Sequence, residues 1–258
     1  MNVSSATPNS NALQRERLDL TLVRLGMAQS RSRARDMIGR GCVLIDGKIV
    51  SKAGTLVGPA VEIHVDDPAS NYVSRAALKL LGGLAQSGFD PAGRVCVDLG
   101  ASTGGFTQVL LERDCKQVVA IDVGHGQLHP SLANDPRINL HEGVNARSLG
   151  PDFFAQSPEA IVSDMSFISL RLAAKPTLLA AARKAWAILL VKPQFELDPK
   201  AIGKGGIVTD PNAAERIARD LRAWFDTLPG WRSTGLAPSP VRGGDGNQEF
   251  LLFGVRDA

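Results

Sequence analysis

The 258-residue sequence lacks a long hydrophobic segment and has only three cysteines. Its longest apolar run, residues 185–191, is far shorter than the roughly 20 residues that a membrane-spanning helix needs. The first residues lack the apolar core of a signal peptide, and their Ser, Asn and Pro content predicts a disordered tail over 1–14. Cys42, Cys96 and Cys115 show no CxxC spacing, which argues against disulfides or a zinc site and favours a reducing, cytoplasmic environment.

Two other kinds of site lack their usual signatures. The four histidines, at positions 64, 125, 129 and 141, do not cluster as metal ligands do, so no metal is expected. A Gly-rich turn follows the apolar run at 95–99, but its glycines fall at 100, 104 and 105 with Ser102 between them. That is neither GxGxxG nor GK[ST], so the turn predicts neither a nicotinamide site nor a nucleoside triphosphate site.

Positive charge is concentrated near the N-terminus, although the whole chain carries only +3. Residues 15–52 contain nine Lys or Arg and four acids, an excess of +5 that indicates a polyanionic partner. The candidate RNA-binding residues are Arg15, Arg31, Arg33, Arg35, Arg40, Lys48 and Arg75.

The chain divides near residues 66–71, where acids, Pro and small residues interrupt the pattern. Residues 15–66 predict a small α+β domain of two helices and a hairpin turning at Asp46-Gly47, and residues 67–72 a linker. From 73 to 258, strand and helix patterns alternate, with a long helical stretch at 169–184. This alternation predicts an α/β fold, a doubly wound, mostly parallel sheet with an antiparallel late strand.

Two acids mark the ends of the first two strands in this sheet. Asp98 precedes the Gly-rich turn, where a carboxylate would repel a pyrophosphate but suits a ligand with a cationic end. Asp122 ends the next strand, 24 residues later, near the spacing of a ribose-binding carboxylate. A cation and a ribose without phosphate together predict S-adenosyl-L-methionine as the ligand. The alternative is that both acids only cap turns.

Four more charged residues are expected near the carboxyl edge of the sheet, where such folds bind their ligands. Asp164 and Lys192 end strands, Glu249 begins the last strand, and Lys79 lies on the helix before the first strand. A second lysine nearby disfavours the protonated form of the first, which would let it act as a base. Solvated strand ends or structural ion pairs are the alternative.

These segments resemble the TlyA family, also called haemolysin-like, of ribosomal RNA 2′-O-methyltransferases. The resemblance rests on YVSRAALKL, DLGASTGGFTQVLL, VAIDVGHGQL, SDMSFISL, LVKPQFE, GKGGIV and SPVRGGDGNQEFLL. It implies an S4-like RNA-binding domain over 15–66 and an FtsJ-like methyltransferase domain over 73–258. One position departs from the family: His125 stands where an aromatic residue, usually Tyr, is expected.

The resemblance also implies site residues, a substrate and a partner. The Lys-Asp-Lys-Glu catalytic tetrad of FtsJ-like enzymes maps onto Lys79, Asp164, Lys192 and Glu249, with Lys192 as the base. The methyl-donor site maps onto Asp98, Gly100, Ser102, Gly104, Gly105, Phe106, Asp122, Val123, Asn145 and Asp164. Ribosomal RNA, as such or within a ribosomal subunit, is the implied partner, and a cytidine ribose the implied target.

Two other classes of protein compete with this interpretation. A membrane-active haemolysin would need a spanning or strongly amphipathic apolar segment, which the sequence does not have. A non-catalytic RNA-binding or ribosome-assembly factor would be expected to have lost part of the tetrad, yet all four residue types are present. The oligomeric state is not predicted.

Overall fold

A computed structural model of the chain describes residues 15–244 and 246–257. The tail predicted over 1–14 lies outside the described residues. The fold consists of two compact units that meet in sequence between Ser70 and Asn71. Residues 67–72, predicted as a linker, are not all exposed: Asp67 and Ala69 are buried in the first unit.

Over residues 15–70, the N-terminal unit has two helices and five short strands. In chain order they are β1 (Glu16–Arg17), α1 (Leu18–Arg24), α2 (Arg31–Gly39), β2 (Val43–Ile45), β3 (Lys48–Ile49), β4 (Leu56–Val57) and β5 (Ile63–Val65). The Ser30 side chain accepts a hydrogen bond from the Arg33 amide and begins α2, as the sequence predicts. Strands β2 and β3 pair across the Asp46-Gly47 turn, where both residues have positive φ.

Over residues 71–244 and 246–257, the second unit contains five helices and seven strands, joined in places by short 3₁₀ turns. The helices are α3 (Ala76–Ser87), α4 (Gly105–Glu112), α5 (Leu170–Ala173), α6 (Lys175–Ala180) and α7 (Pro211–Phe225). The strands are β6 (Val95–Leu99), β7 (Gln117–Ile121), β8 (Ile138–His141), β9 (Ala160–Ser163), β10 (Trp186–Val191), β11 (Trp231–Pro238) and β12 (Phe250–Arg256).

The seven strands form one sheet in the order β11-β12-β10-β9-β6-β7-β8. Strand β12 runs antiparallel to both of its neighbours, β10 and β11, whereas the other pairs in this sheet are parallel. The predicted doubly wound sheet with an antiparallel late strand is therefore confirmed. The chain first builds outward from β6 to β8 and then returns to place β9 on the other side of β6. A ligand crevice is expected outside the carboxyl ends of β6 and β9, at this reversal of strand order.

Alternate residues of each strand pack on opposite faces of the sheet. On β6, Val97 and Leu99 face one core cluster, which includes Leu178 of α6 and Phe225 of α7. Cys96 faces the other cluster, which is covered by helices α3 and α4. Because both faces are covered, the strand ends are the part of the sheet left for chemistry.

The helical stretch expected over residues 169–184 is shorter and broken. It consists of α5 and α6, and α6 ends at Ala180, where Ala181 turns to an extended conformation. Pro176 lies in the first turn of α6 and cannot supply an amide hydrogen to α5. The Ala and Leu pattern alone therefore overestimated the length of the helix.

Candidate active site

Four charged side chains from distant parts of the chain meet at the carboxyl edge of the sheet. The Lys79 ammonium lies 2.6 Å from Glu249 Oε2 and 3.9 Å from Asp164 Oδ2. The Lys192 ammonium lies 2.6 Å from Asp164 Oδ1. The four residues expected to form a tetrad are thus linked in one chain of contacts.

The sheet order explains why these residues meet. Asp164 follows β9 and Lys192 follows the neighbouring strand β10. Because β12 is antiparallel to β10, its first residues lie beside the last residues of β10, which brings Glu249 to the same edge. Lys79 reaches this edge from α3, and its side chain is only 6% exposed.

The contacts inside the tetrad are charge pairs rather than well-aligned hydrogen bonds. Asp164 Oδ1 and Glu249 Oε2 are buried and have no hydrogen-bond partner of acceptable angle, although each faces an ammonium at 2.6 Å. Two ammonium and two carboxylate groups leave the tetrad with no net charge. The sequence suggested that the two lysines would lie side by side, but Asp164 lies between them. The positive and negative charges of the tetrad therefore compensate each other.

Ser166 also contacts Lys192 and was not identified from the sequence. The Lys192 ammonium donates a hydrogen bond to Ser166 Oγ at 2.7 Å. Phe167, the next residue, is 90% exposed and has φ of 63°, a conformation that a bulky side chain rarely adopts. Its ring lies 5.0 Å from that of Phe195. The only signal in the sequence is that both residues directly follow the strand-end segment SDM.

A cavity of about 150 Å³ lies between the Gly-rich turn and the tetrad. Five predicted donor-site residues line it: Gly100, Ser102, Gly105, Phe106 and Asp164. Lys192 and Ser166 line the same cavity. The expected donor site and one end of the tetrad therefore share one space.

Two glycines of the turn are required by close packing. Gly100 has φ of 84°, and a Cβ there would lie 2.8 Å from the carbonyl oxygen of Asp164. Gly104 has φ of 95°, and its Cβ would lie 2.5 Å from Leu132. A side chain at position 100 would therefore collide with the backbone that follows β9, whereas one at position 104 would displace Leu132 and require an unfavourable positive φ.

Asp98 does not line the cavity but is fully buried at the base of the turn. Thr107 donates a hydrogen bond to its Oδ2 at 2.7 Å, whereas Oδ1 has no partner in the described part of the chain. Burial raises the pKa of Asp98 to about 7, an effect that the Thr107 hydrogen bond opposes and the charge of Asp164 reinforces. An unpartnered carboxylate oxygen at this depth is a site that a cation nearby would stabilise.

The second acid, Asp122, organises the neighbouring loop. Its two oxygens accept hydrogen bonds from the amides of Ser102 at 2.8 Å and Gly124 at 2.7 Å. Val123 is 68% exposed beside it, as a residue available to a ligand would be. Asn145 Oδ1 accepts hydrogen bonds from the Arg147 amide at 3.1 Å and from Arg147 Nε at 3.4 Å, which leaves the Asn145 amide nitrogen to face a ligand.

The candidate RNA-binding residues of the N-terminal unit fall into different environments. Arg31 and Arg35 are about half exposed and pair with Asp19. Arg33 and Arg40 are mostly buried and pair with Asp67, so these two arginines form structural ion pairs inside the unit. Three further candidates complete the set: Arg15 and Lys48 are exposed in the N-terminal unit, and Arg75 lies half-buried just before α3.

Comparison with known proteins identifies the family. Residues 72–256 match the model described as FtsJ-like methyltransferase, and residues 16–63 match the S4 domain. The chain is 44% identical, over 93% of its length and 90% of the relative, to 16S/23S rRNA (cytidine-2′-O)-methyltransferase TlyA of Mycobacterium tuberculosis. The chain belongs to the TlyA family.

Other TlyA-like relatives have haemolysin names. Hemolysin A of Brachyspira hyodysenteriae is 36% identical over 91% of this chain and 98% of its own length. The solved structure of a protein named "putative hemolysin" from Streptococcus thermophilus is 34% identical with a TM-score of 0.72, and the match covers 95% of this chain and 90% of that one. Within residues 15–244 and 246–257, no helix is long and apolar enough to cross a membrane.

Membership of this family confirms the predicted S4 domain, the FtsJ-like domain and S-adenosyl-L-methionine as the methyl donor. The residues present fit that donor. Glycines at 100 and 105 keep side chains off the cavity wall, and the unpartnered Asp98 oxygen lies at the base of the same turn. No group of three or more His, Cys, Asp or Glu side chains that could hold a metal ion occurs in the part of the chain described here.

Proposed function

We propose that this protein transfers a methyl group from S-adenosyl-L-methionine to a ribose 2′-hydroxyl of ribosomal RNA, with a cytidine as the target nucleoside. The observation that carries the proposal is the shared cavity: Lys192 and Asp164 of the tetrad line the same space as Gly100 of the donor turn. A nucleophile activated by Lys192 would therefore lie next to the donor, as a one-step transfer requires.

Lys192 is the proposed general base. Bound in the cavity, S-adenosyl-L-methionine supplies an electrophilic methyl group with a neutral thioether as leaving group. The 2′-hydroxyl passes its proton to Lys192 Nζ while its oxygen forms the new bond to the methyl carbon. For this step Lys192 must be an uncharged amine when the ribose arrives.

Asp164 and Ser166 would set the direction of the Lys192 lone pair. A neutral amine has two N–H bonds and one lone pair, and two acceptor oxygens lie within 2.7 Å of Nζ. A small rotation of the amine would turn one N–H bond to Asp164 while the other stays on Ser166, and the lone pair would then be left for a third direction. Because Lys192 lines the cavity, that direction is available to the ribose hydroxyl.

Lys79 and Glu249 would hold Asp164 in place from behind. Lys79 is buried, lies 2.6 Å from Glu249, and reaches Asp164 only at 3.9 Å. It therefore balances the charge of Asp164 without binding its oxygen closely, which keeps that carboxylate available to Lys192. Lys79 is not among the residues that line the cavity, so its effect on the negative charge that develops on the 2′-oxygen would pass through Asp164.

Phe167 is the proposed contact for the target base. A 2′-hydroxyl inside folded RNA reaches such a cavity only when its nucleotide leaves the stack, and flipped bases are commonly held against aromatic rings. Phe167 is 90% exposed and packs against Phe195. It directly follows Ser166, the residue that accepts a hydrogen bond from Lys192. An apolar ring held in a strained, exposed conformation is poorly explained by folding alone.

The exposed basic residues of the N-terminal unit, above all Arg31 and Arg35, would bind RNA phosphates. Arg15 and Lys48 add exposed positive charge to the same unit, and Arg75 to the second. Arg33 and Arg40 would contribute indirectly, since their charges are taken up by Asp67. A ribosomal RNA substrate would place the protein in the cytoplasm.

The test is methylation of ribosomal subunits taken from cells that lack the gene. Purified protein and labelled donor are added, and 2′-O-methyl positions are mapped in the extracted RNA. We expect one or a few new 2′-O-methylcytidines with wild-type protein and none with Asp164→Asn. Methylation at a base, at other nucleosides only, or in both samples would contradict the proposal.

A further inference from the structure

Asp19 is a buried carboxylate near the start of α1, and three arginines share it. Arg17 Nε lies 3.0 Å from Oδ1, while Arg31 Nε and Arg35 Nε lie 2.9 and 3.0 Å from Oδ2. The Asp19 side chain is 0% exposed, whereas the three arginine side chains are 41%, 46% and 53% exposed. One buried carboxylate thus forms ion pairs with three partly exposed arginine side chains.

The cluster carries a net charge of +2 and keeps free hydrogen-bond donors. The hydrogen bond from Arg17, with those from Arg31 and Arg35, holds the pKa of Asp19 well below its usual range, so the carboxylate is ionised. Arg31 and Arg35 each donate only through Nε. Their Nη groups meet no protein acceptor in the described ranges, which leaves up to four N–H groups on each side chain for a ligand.

Asp67 provides a contrast within the same unit. It is also buried, but its partners Arg33 and Arg40 are only 20% and 16% exposed. Arg40 approaches it with two nitrogens, at 2.7 and 2.9 Å. Asp67 therefore joins parts of the unit internally, whereas Asp19 presents its arginines to the surface.

We propose that Asp19 is a positioning residue for RNA binding, which fixes Arg17, Arg31 and Arg35 as one phosphate-binding surface. This rests on the proposed function, since it takes RNA as the partner. Long arginine side chains lose considerable rotamer entropy when they bind a ligand. Arginines already held by Asp19 have lost part of that freedom in the free protein. The benefit of this preorganisation outweighs the repulsion between Asp19 and the phosphates.

The proposal predicts a result of opposite sign to that expected from charge alone. Asp19→Asn removes a negative charge, and simple Coulomb attraction at about 8 Å in water would then tighten RNA binding about twofold. Positioning predicts instead that Asp19→Asn weakens binding by at least about threefold, with a smaller salt dependence because fewer phosphates are held together. The assay is filter binding of the full-length protein to purified ribosomal RNA at several KCl concentrations.

Asp46→Asn is the matched control. It removes one acid from an exposed turn of the same unit, at a positive φ that Asn tolerates. We expect its binding to be unchanged or slightly tighter. Hydrogen exchange shows whether the N-terminal unit of Asp19→Asn is folded. If it is folded and its RNA affinity changes no more than that of Asp46→Asn, the proposal is overturned.

A second variant covers the case in which Asp19→Asn does not fold. Arg31→Lys combined with Arg35→Lys keeps every charge at two half-exposed positions but removes the planar guanidinium. Positioning predicts binding at least about threefold weaker, and wild-type affinity would overturn the proposal. If wild-type protein shows no salt-dependent binding to ribosomal RNA at all, the proposed RNA partner itself fails.

Discussion

Asp98→Asn should make the unliganded protein more stable, and increasingly so as the pH rises. In the folded protein burial raises the pKa of Asp98 to about 7, from an ordinary value of 3.8. Between these two values the folded chain keeps a proton that the unfolded chain releases. The free energy of unfolding therefore falls with rising pH across this range, by up to about 4 kcal/mol in total. Asparagine has no such proton to lose, and its amide oxygen can still accept the Thr107 hydrogen bond.

The assay is urea unfolding of the two proteins without donor, at pH 5.5, 6.5 and 7.5. All three tryptophans, at 186, 224 and 231, belong to the methyltransferase unit, so their fluorescence reports its unfolding. The stability advantage of Asp98→Asn should grow by about 2 kcal/mol from pH 5.5 to 7.5. Asp152→Asn, at an exposed position of the same unit, is the matched control.

The same substitution should weaken donor binding. Attraction between the Asp98 carboxylate and the cationic end of the donor would contribute about 1–3 kcal/mol, which corresponds to roughly 5- to 150-fold in Kd. Calorimetric titration with S-adenosyl-L-methionine measures this loss. A stability difference that does not change with pH would refute the account of the buried carboxyl, and unchanged donor affinity would refute its role in the donor site.

Three further substitutions test separate parts of the site. Asp122→Ala removes the acceptor for the amides of Ser102 and Gly124, so donor binding measured by calorimetry should weaken by about 10-fold or more. RNA binding measured in a filter assay should stay the same. Ser166→Ala should slow single-turnover methyl transfer about 10-fold at unchanged donor affinity, and Ser166→Thr should restore it; an unaffected rate for the alanine variant would remove Ser166 from the mechanism. Phe167→Ala should raise the RNA concentration needed for half-maximal rate by about 5-fold or more, because a base stacked on an aromatic ring contributes about 1–3 kcal/mol to binding. An unchanged concentration would show that the ring does not hold the target base.

The sequence predicted the strand ends well because parallel strands place their carboxyl ends at one edge. Asp98, Asp122, Asp164 and Lys192 each follow an apolar run, so their common location follows from the fold class. The pattern placed Lys79 and Glu249 near the same edge, but it could not show that these two side chains pair directly, because α3 and the start of β12 are far apart in sequence.

Other features depended on contacts that no local pattern encodes. Four arginines between residues 31 and 40 were equal candidates for RNA binding, yet they are divided between Asp19 and Asp67. A pattern of charges cannot show which acid will be buried beside which base. In the same way, Asp98 was expected to face a ligand, whereas its carboxylate lies below the turn, where burial changes its protonation.

The measurement that tests the central claim most directly is single-turnover methyl transfer by Lys192→Ala and Lys192→Arg. Lys192 lies 2.6 Å from Asp164 and lines the donor cavity, so loss of its base function should lower the rate of the chemical step. We expect both variants to be slower by about 10²–10⁴-fold, with donor and RNA affinities near those of wild type, because a guanidinium cannot accept the ribose proton. Near-normal turnover by Lys192→Arg would show that only a positive charge is needed at this position, and it would contradict the assignment of Lys192 as the general base.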